Sequence, residues 1–343
     1  MYHSYCSKEI RIALNNWYSI HARTLPWRIN TTIYGTWLSE VILQQTRMEV
    51  GVKKWQKIIT KFPTVRNLAE ASEDQVLKAW EGLGYYRRAR FLHKAAQIIN
   101  SNGTFPKSYD EWLKLPGIGS YTAAAISSIT FNEEVAAVDG NVKRVISRLV
   151  GYQDPINNSQ GSNKINNIAK LLLDTENPGT HNQAMMELGA LVCKPKKPNC
   201  NCCPISKQCI SSNNSLLLNK IPSKVKPKKI KDIDLIWHLV RFKKNIVTIK
   251  MPSEGIWGSL WGFHHTKPST DFFIKTKTLK PIVHLLTHRR IHAKFHMWEA
   301  INKKAIIDYA SSINGKIIPI NELKNLAMPR LITKYILPII TIR

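Results

Sequence analysis

No apolar run in the 343 residues approaches the ~18 needed to cross a bilayer, and Met1 to Ile20 lacks the continuous apolar core of a secretory signal. No membrane partner is therefore expected, and the chain reads as cytoplasmic. Acidic residues are scarce: 23 Asp and Glu stand against 50 Lys and Arg, a net charge of +27. Such an excess favours a polyanionic partner, because each phosphate met by a cation releases its counterions. Abundant Lys, Ile and Asn are also what a genome-wide bias produces, so part of that charge reads as solvated surface. Cysteine is sparse and uneven, with five of the six between positions 193 and 209. In a reducing compartment that clustering points to metal rather than disulfides. A 43% apolar content suffices for ordinary cores, and ~150 residues per domain suggests two globular units.

What is present reads first as helix. Residues 8 to 20 carry apolar side chains at helical spacing, and Leu25-Pro-Trp-Arg28 interrupts them. In Tyr34 to Thr46, residues Trp37, Leu38, Val41, Ile42 and Thr46 make a stripe with Glu40 near its edge. An acid there is either a plain surface Glu or one whose pKa desolvation raises towards neutrality, as a general acid requires. Helical patterns continue from Val52 to Ile129 with short breaks, among them Gly82-Leu-Gly-Tyr-Tyr-Arg-Arg-Ala-Arg90. That stretch is either an ordinary helix start or a place where an aromatic enters the base stack beside cations.

At Leu115-Pro-Gly-Ile-Gly119, Pro116 ends one helical pattern, and Gly117 and Gly119 permit a hairpin whose N–H groups face outward at the next helix start. The feature reads as a bare turn or as a grip on one phosphate. Asp139 precedes Gly140 and the periodic Val142, Val145, Ile146 and Leu149, as a helix cap would. Two further helices are expected over 163–174 and 180–192.

Cys193, Cys200, Cys203 and Cys209 follow, spaced by six, two and five residues. Four thiolates in so short a loop suit either zinc or a [4Fe–4S] cluster, and Cys202 can substitute for Cys203. Cys6 reads as a small buried hydrophobe. Residues 213–231, rich in Asn, Ser, Lys and Pro, read as a linker between a helical region, 1–212, and a second domain, 232–343. The latter turns to strands, Leu235–Phe242 and Ile246–Met251 about a turn, then Gly255–Phe263, which gives α+β. His284, His288, His292 and His296 recur every four residues as a helical histidine face would, but interleaved Arg289, Arg290 and Lys294 favour a nucleic-acid contact over metal.

Taken together, these motifs closely resemble the A/G-specific adenine DNA glycosylase family: Leu25-Pro-Trp-Arg28, Trp37 to Thr46, Gly82 to Tyr86, Leu115 to Gly119, Val138-Asp-Gly-Asn141, Asn182 to Gly189 and the four-cysteine loop, in order over residues 9 to 209. The resemblance implies a mostly α catalytic region, with a six-helix barrel, an iron–sulfur helical domain and a helix-hairpin-helix, followed by an α+β Nudix-like lesion-recognition domain. It implies base-excision repair of double-stranded DNA carrying A:8-oxoguanine or A:G, by a monomer associated with the nucleoid through DNA. The adenine is flipped out of the duplex. Glu40 would protonate it and Asp139 would stabilise the oxocarbenium-like sugar, a division of labour shared with glycoside hydrolysis. Tyr121 and Asn141 would attend the reacting centre, and Trp27, Arg28, Leu43 and Glu187 would line the pocket. Gln45 and Tyr85 would intercalate, Gly117 and Gly119 would hold the backbone, and the four cysteines would carry a [4Fe–4S] cluster.

Where bifunctional relatives place Lys after Ser120, this chain has Tyr121, which cannot form a Schiff base, so a monofunctional enzyme leaving an abasic site is expected. The lesion-reading loop is Leu286-Thr287-His288 rather than the family's Phe-Ser-His. Thr supplies the hydroxyl donor, but the aromatic is missing. No Glu-rich Nudix metal helix is seen, so the second domain is expected to bind rather than hydrolyse. An endonuclease III-type glycosylase for oxidised pyrimidines and a non-catalytic iron–sulfur DNA-binding protein are the competing readings.

Overall fold

A computed structural model describes residues 7–212, 214–225 and 230–341. Cys6 lies outside them. Two compact units are resolved: residues 1–69 with 94–226, and residues 70–93 with 227–343. Thus 70–93 groups with the C-terminal residues although it interrupts the helical region in sequence. None of the described helices is long and apolar enough to cross a membrane.

The first unit is helical. In chain order it contains α1 (Ser7–His21), α2 (Pro26–Ile29), α3 (Ile33–Leu43) and α4 (Met48–Lys61). Helices α5 (Val65–Glu70), α6 (Glu73–Trp80) and α7 (Arg87–Asn102) cover the stretch where the chain passes into the second unit and back. Then follow α8 (Tyr109–Leu113), α9 (Ser120–Phe131), α10 (Gly140–Leu149), α11 (Ser159–Leu172), α12 (Pro178–Leu191) and α13 (Ser215–Lys220). Helix α3 is apolar all round and buried from Tyr34 to Ile42, so Glu40 lies inside it rather than at the edge of a stripe. The core packs Ile10, Leu14 and Trp17 of α1 against Val142, Val145 and Ile146 of α10 and Ala184, Met185 and Leu188 of α12. The stretch expected as a linker is not one throughout: α13 occupies Ser215–Lys220, capped by Asn214, and Ile221 is buried.

Helix α12 sits close to its neighbours because glycine lets it. A Cβ on Gly179 would lie 2.6 Å from the Ser128 carbonyl of α9, and one on Gly189 would lie 2.6 Å from Cβ of Asn141 on α10. Between these contacts Asn182 donates to Ser128 Oγ at 2.9 Å and to the Val135 carbonyl at 2.8 Å, and accepts from Ala137 N at 3.0 Å. The backbone two residues ahead of Asp139 is thereby fixed.

The second unit is built on a mixed sheet with α14 (Lys303–Ser312), α15 (Arg330–Tyr335) and α16 (Leu337–Thr341). Its strands are β1 (Lys231–Phe242), β2 (Asn245–Lys250), β3 (Trp261–Gly262), β4 (Phe273–Thr278), β5 (Ile282–Leu285), β6 (Arg289–Ala300) and β7 (Lys316–Pro319). The order is β3-β2-β1-β6-β4, with β5 also on β6 and β7 on β2, and β1 runs parallel to β6 in register Trp237↔Phe295. Alternate residues serve two cores: Trp237, Leu239, Phe295 and Met297 meet Leu331 and Ile332 of α15, whereas Val240 and Trp298 meet Ile306 and Tyr309 of α14.

Two expectations fail here. The histidine series is not helical: His284 is on β5, His292 and His296 are on β6, and His288 is in the turn between. A spacing of four returns to one face of a strand as well as of a helix, which is why the pattern misled. Of Gly255–Phe263 only Trp261–Gly262 is strand, because Gly255 (φ 91°) and Ser259 (φ 63°) take left-handed backbone that breaks a ladder.

Candidate active site

One cavity of about 800 Å³ in the first unit is lined by Trp27, Arg28, Glu40, Leu43, Gln45, Tyr121, Asp139, Asn141 and Glu187. These come from five separate stretches of chain, and all were singled out by sequence. Gln44, Lys143, Gln183, Met186 and Lys224 line it too.

Glu40 is buried, and burial lifts its carboxyl to about 7, with the nearby Asp139 charge adding and the Tyr121 hydroxyl and Arg28 opposing. Tyr121 donates to Glu40 Oε2 at 2.7 Å. Burial and the two carboxylates push the phenol well above its ordinary range, so it stays a donor. Asp139 is the N-cap of α10: one oxygen accepts from Val142 N at 2.7 Å and the other from Asn141 Nδ2 at 2.8 Å. Burial raises Asp139 as well, but those donors and Arg144 hold it back. The cavity therefore contains one carboxyl poised near neutrality and one furnished with donors that favour its anion.

Asn141 is in turn gripped by Arg144, whose guanidinium donates to Asn141 Oδ1 at 3.0 Å, to the Gly189 carbonyl at 2.7 Å and to the Cys193 carbonyl at 2.7 Å. Glu187, almost wholly buried on α12, accepts from Arg23 N, Nε and Nη2 at 3.0, 2.7 and 2.8 Å and from Arg28 Nη2 at 3.1 Å. Despite the cost of burial these donors hold its carboxyl down at about 2. Arg23, Asn182, Arg144 and Met186 were not found from sequence. Only the fold brings Arg23 to Glu187, and no local spacing announces it.

The hairpin between α8 and α9 is anchored by buried Leu115 and Ile118 and exposes Gly117 and Gly119. Gly117 takes φ 78°, which requires glycine, whereas Gly119 is the extended N-cap of α9 and a Cβ there would meet nothing within 4 Å. Glycine at 119 is thus not demanded by packing. Gly119→Ala should leave the unfolding midpoint within ~1 °C, which thermal melts check.

Gln45, just after α3, has φ 56° and an exposed side chain; Tyr85 in the second unit has φ 46° and is 45% exposed. Left-handed backbone at a Gln or Tyr costs energy. In that second unit the Tyr85 hydroxyl meets the Thr287 hydroxyl, and Thr287 and His288 are exposed in the β5–β6 turn, while Leu286 turns back onto the core.

Cys193, Cys200, Cys203 and Cys209 line a second, small cavity with Arg148, whose Nη1 donates to Cys193 Sγ at 3.4 Å. Cys202 is exposed and does not contribute. Burial pushes the Cys203 thiol up to about 12 and the other thiolates add to this, so four thiolates here require a cationic centre. Among the described residues no three His, Cys, Asp or Glu side chains converge tightly enough for a single metal ion.

Residues 38–170 match the family described as HhH-GPD superfamily base excision DNA repair protein. A thermostable thymine-DNA glycosylase shares the fold with a TM-score of 0.55 at 26% identity, covering 60% of this chain and 96% of that one. The helical unit is thus that of a base-excision DNA glycosylase. Over 337 residues the chain is 35% identical to the adenine DNA glycosylase of Buchnera aphidicola subsp. Baizongia pistaciae (strain Bp), covering 94% of each, and over 210 residues it is 38% identical to the human adenine DNA glycosylase, covering 58% of this chain and 38% of that one. The chain belongs to the adenine DNA glycosylase family.

Proposed function

We propose that this enzyme hydrolyses the N-glycosidic bond of adenine paired with 8-oxoguanine or guanine in double-stranded DNA and leaves an abasic site. The observation that carries this is the pair of carboxyls in one cavity, Glu40 lifted to about 7 beside Asp139 held by donors. An extruded adenine enters between Trp27, Arg28, Leu43 and Glu187. Glu40 gives its proton to the ring nitrogen at position 7, so that the base departs neutral. Asp139 stays anionic and opposes the positive charge growing on the sugar, and the oxygen of a water then bonds to the anomeric carbon as its proton passes to the carboxylate that Glu40 has become. Asn141 orients Asp139. Tyr121 favours the carboxylate that Glu40 becomes, an interaction stronger after proton transfer than before it.

No lysine occupies position 121, which supports a monofunctional reaction. Gln45 and Tyr85 enter the base stack, Gly117 and Gly119 hold a phosphate, and Thr287 and His288 read the lesion strand from a Nudix-like domain spanning 232–343. The helical region 1–212 is a six-helix barrel joined to an iron–sulfur helical domain, and the enzyme acts as a monomer. Its +27 charge suits the DNA partner. Four cysteines around one cavity, spaced by six, two and five residues rather than as two paired Cys-x-x-Cys knuckles, favour a [4Fe–4S] cluster over zinc, with Cys193, Cys200, Cys203 and Cys209 as ligands. When bound, the cluster supplies a cross-link that holds the loop in shape. Cys203→Ala should lower iron from ~4 per chain to near zero and reduce the unfolding midpoint, whereas Cys202→Ala retains the iron; metal analysis and melting decide it.

The test is single-turnover adenine release from duplexes with 8-oxoguanine or guanine opposite, quenched with and without borohydride. Release with no trapped adduct is expected, and it is faster opposite 8-oxoguanine. Strand scission through a trapped adduct, or preference for an oxidised pyrimidine, overturns the reading.

A further inference from the structure

One hydroxyl in the cavity has two acceptors. Tyr121 Oη lies 2.7 Å from Glu40 Oε2 and 3.1 Å from Met186 Sδ, and a phenol carries a single proton. The acceptors differ in kind. While Glu40 is ionised its charge-assisted bond, roughly twice the strength of a neutral one, wins outright. Once Glu40 is protonated that advantage disappears, and a polarisable thioether at 3.1 Å competes.

We propose that Met186 is a positioning residue for proton delivery: its sulfur accepts the Tyr121 hydroxyl while Glu40 holds a proton and releases it to the carboxylate as that proton leaves for the base. This rests on Glu40 being the general acid. Two observations fix the geometry. Glu187, next to Met186 on α12, is tied by Arg23 and Arg28, so the helix cannot turn Met186 away from the phenol. Gly179 and Gly189 hold the same helix against α9 and α10, which carry Tyr121 and Asn141. The consequence is a hydroxyl that does not press a donor on Glu40 before transfer and stabilises its anion afterwards.

The charged groups facing Glu40 are Asp139 at the start of α10 and Arg28 of α2, with Tyr121 of α9 between. Lys143, Lys224 and the Arg23–Glu187 pair line the same cavity. Met186→Leu alters none of these and keeps side-chain volume. It removes only the competing acceptor, so Glu40 loses its proton more readily.

The experiment is single-turnover adenine release from an A:8-oxoguanine duplex between about pH 5.5 and about pH 9, for wild type, Met186→Leu, Tyr121→Phe, the double variant and Met185→Leu. The reaction amplitude reports the folded fraction in each. Met186→Leu should move the alkaline limb to lower pH by about half a unit, making release about threefold slower above the limb. In the Tyr121→Phe background the shift should vanish, and Met185→Leu, a core residue without this contact, should show none. An unmoved limb in Met186→Leu, or an equal shift without the Tyr121 hydroxyl, overturns the proposal while leaving Glu40 as the acid. A wild-type profile with no alkaline limb, or full activity in Glu40→Gln, overturns the reading on which it rests.

Discussion

Glu40→Gln is expected to slow adenine release about 10³-fold while leaving duplex affinity within a few-fold. An amide of the same shape keeps the Tyr121 hydrogen bond, since its oxygen accepts as Glu40 Oε2 does. The pocket therefore stays formed and the base still enters. What is lost is the only proton in the cavity held at a pKa of about 7 on a buried acid. Adenine must then leave as an anion or await a proton from solvent. The sign of the pH dependence follows. Burial raises Glu40 from 4.5 to about 7, so its acid form predominates below neutrality and is lost as pH rises through about 7. Wild-type release should fall about tenfold per unit on the alkaline side, and the residual rate of Glu40→Gln should lack that limb. Single-turnover rates across this range, with affinity measured separately, check both. Equal rates for the two proteins at every pH would remove Glu40 from the reaction.

Features decided within a few residues were legible in the sequence. The cap at Asp139, the hairpin glycines and the paired strands β1 and β2 all follow from local chemistry, and each appears at the expected residues. The nine pocket residues were named through the family resemblance, whose motifs are local too, and they line one cavity. Helix α12 is where local reading stopped. Gly179, Asn182, Met186 and Gly189 act on partners 45 to 65 positions away, as with Asn182 on Ala137 and Met186 on Tyr121, so no periodicity records them. Met185 and Met186 are adjacent and chemically identical, yet one is buried and the other reaches the phenol. The grouping of 70–93 with the C-terminal residues was likewise unreadable. It rests on contacts such as Lys78 Nζ to the Leu326 carbonyl at 3.2 Å and Lys250 Nζ to Asp74 Oδ1 at 2.8 Å, between segments far apart in the chain.

Asp139→Asn should be as damaging as loss of the acid, about 10³-fold in release, for a different reason. Asn is itself a good N-cap, and its oxygen can still take the Val142 N–H, so α10 should keep its cap. The second position is where the substitution fails. Asp139 Oδ2 accepts from Asn141 Nδ2 at 2.8 Å, and an amide nitrogen placed there would face another donor. Flipping the Asn141 amide relieves that clash only by turning a nitrogen towards Arg144 Nη2, which now donates to Asn141 Oδ1 at 3.0 Å. Arg144 is fixed by the Gly189 and Cys193 carbonyls and cannot retreat. The variant thus removes the negative charge facing the sugar and also sets two donors against each other in a buried chain of hydrogen bonds, a cost of about 1–3 kcal/mol. Single-turnover release, duplex affinity and thermal melting separate these effects: slow release with near-normal binding and a melting midpoint lowered by a few degrees is the expected result, whereas unchanged release would mean that no charge at Asp139 is needed when the glycosidic bond breaks.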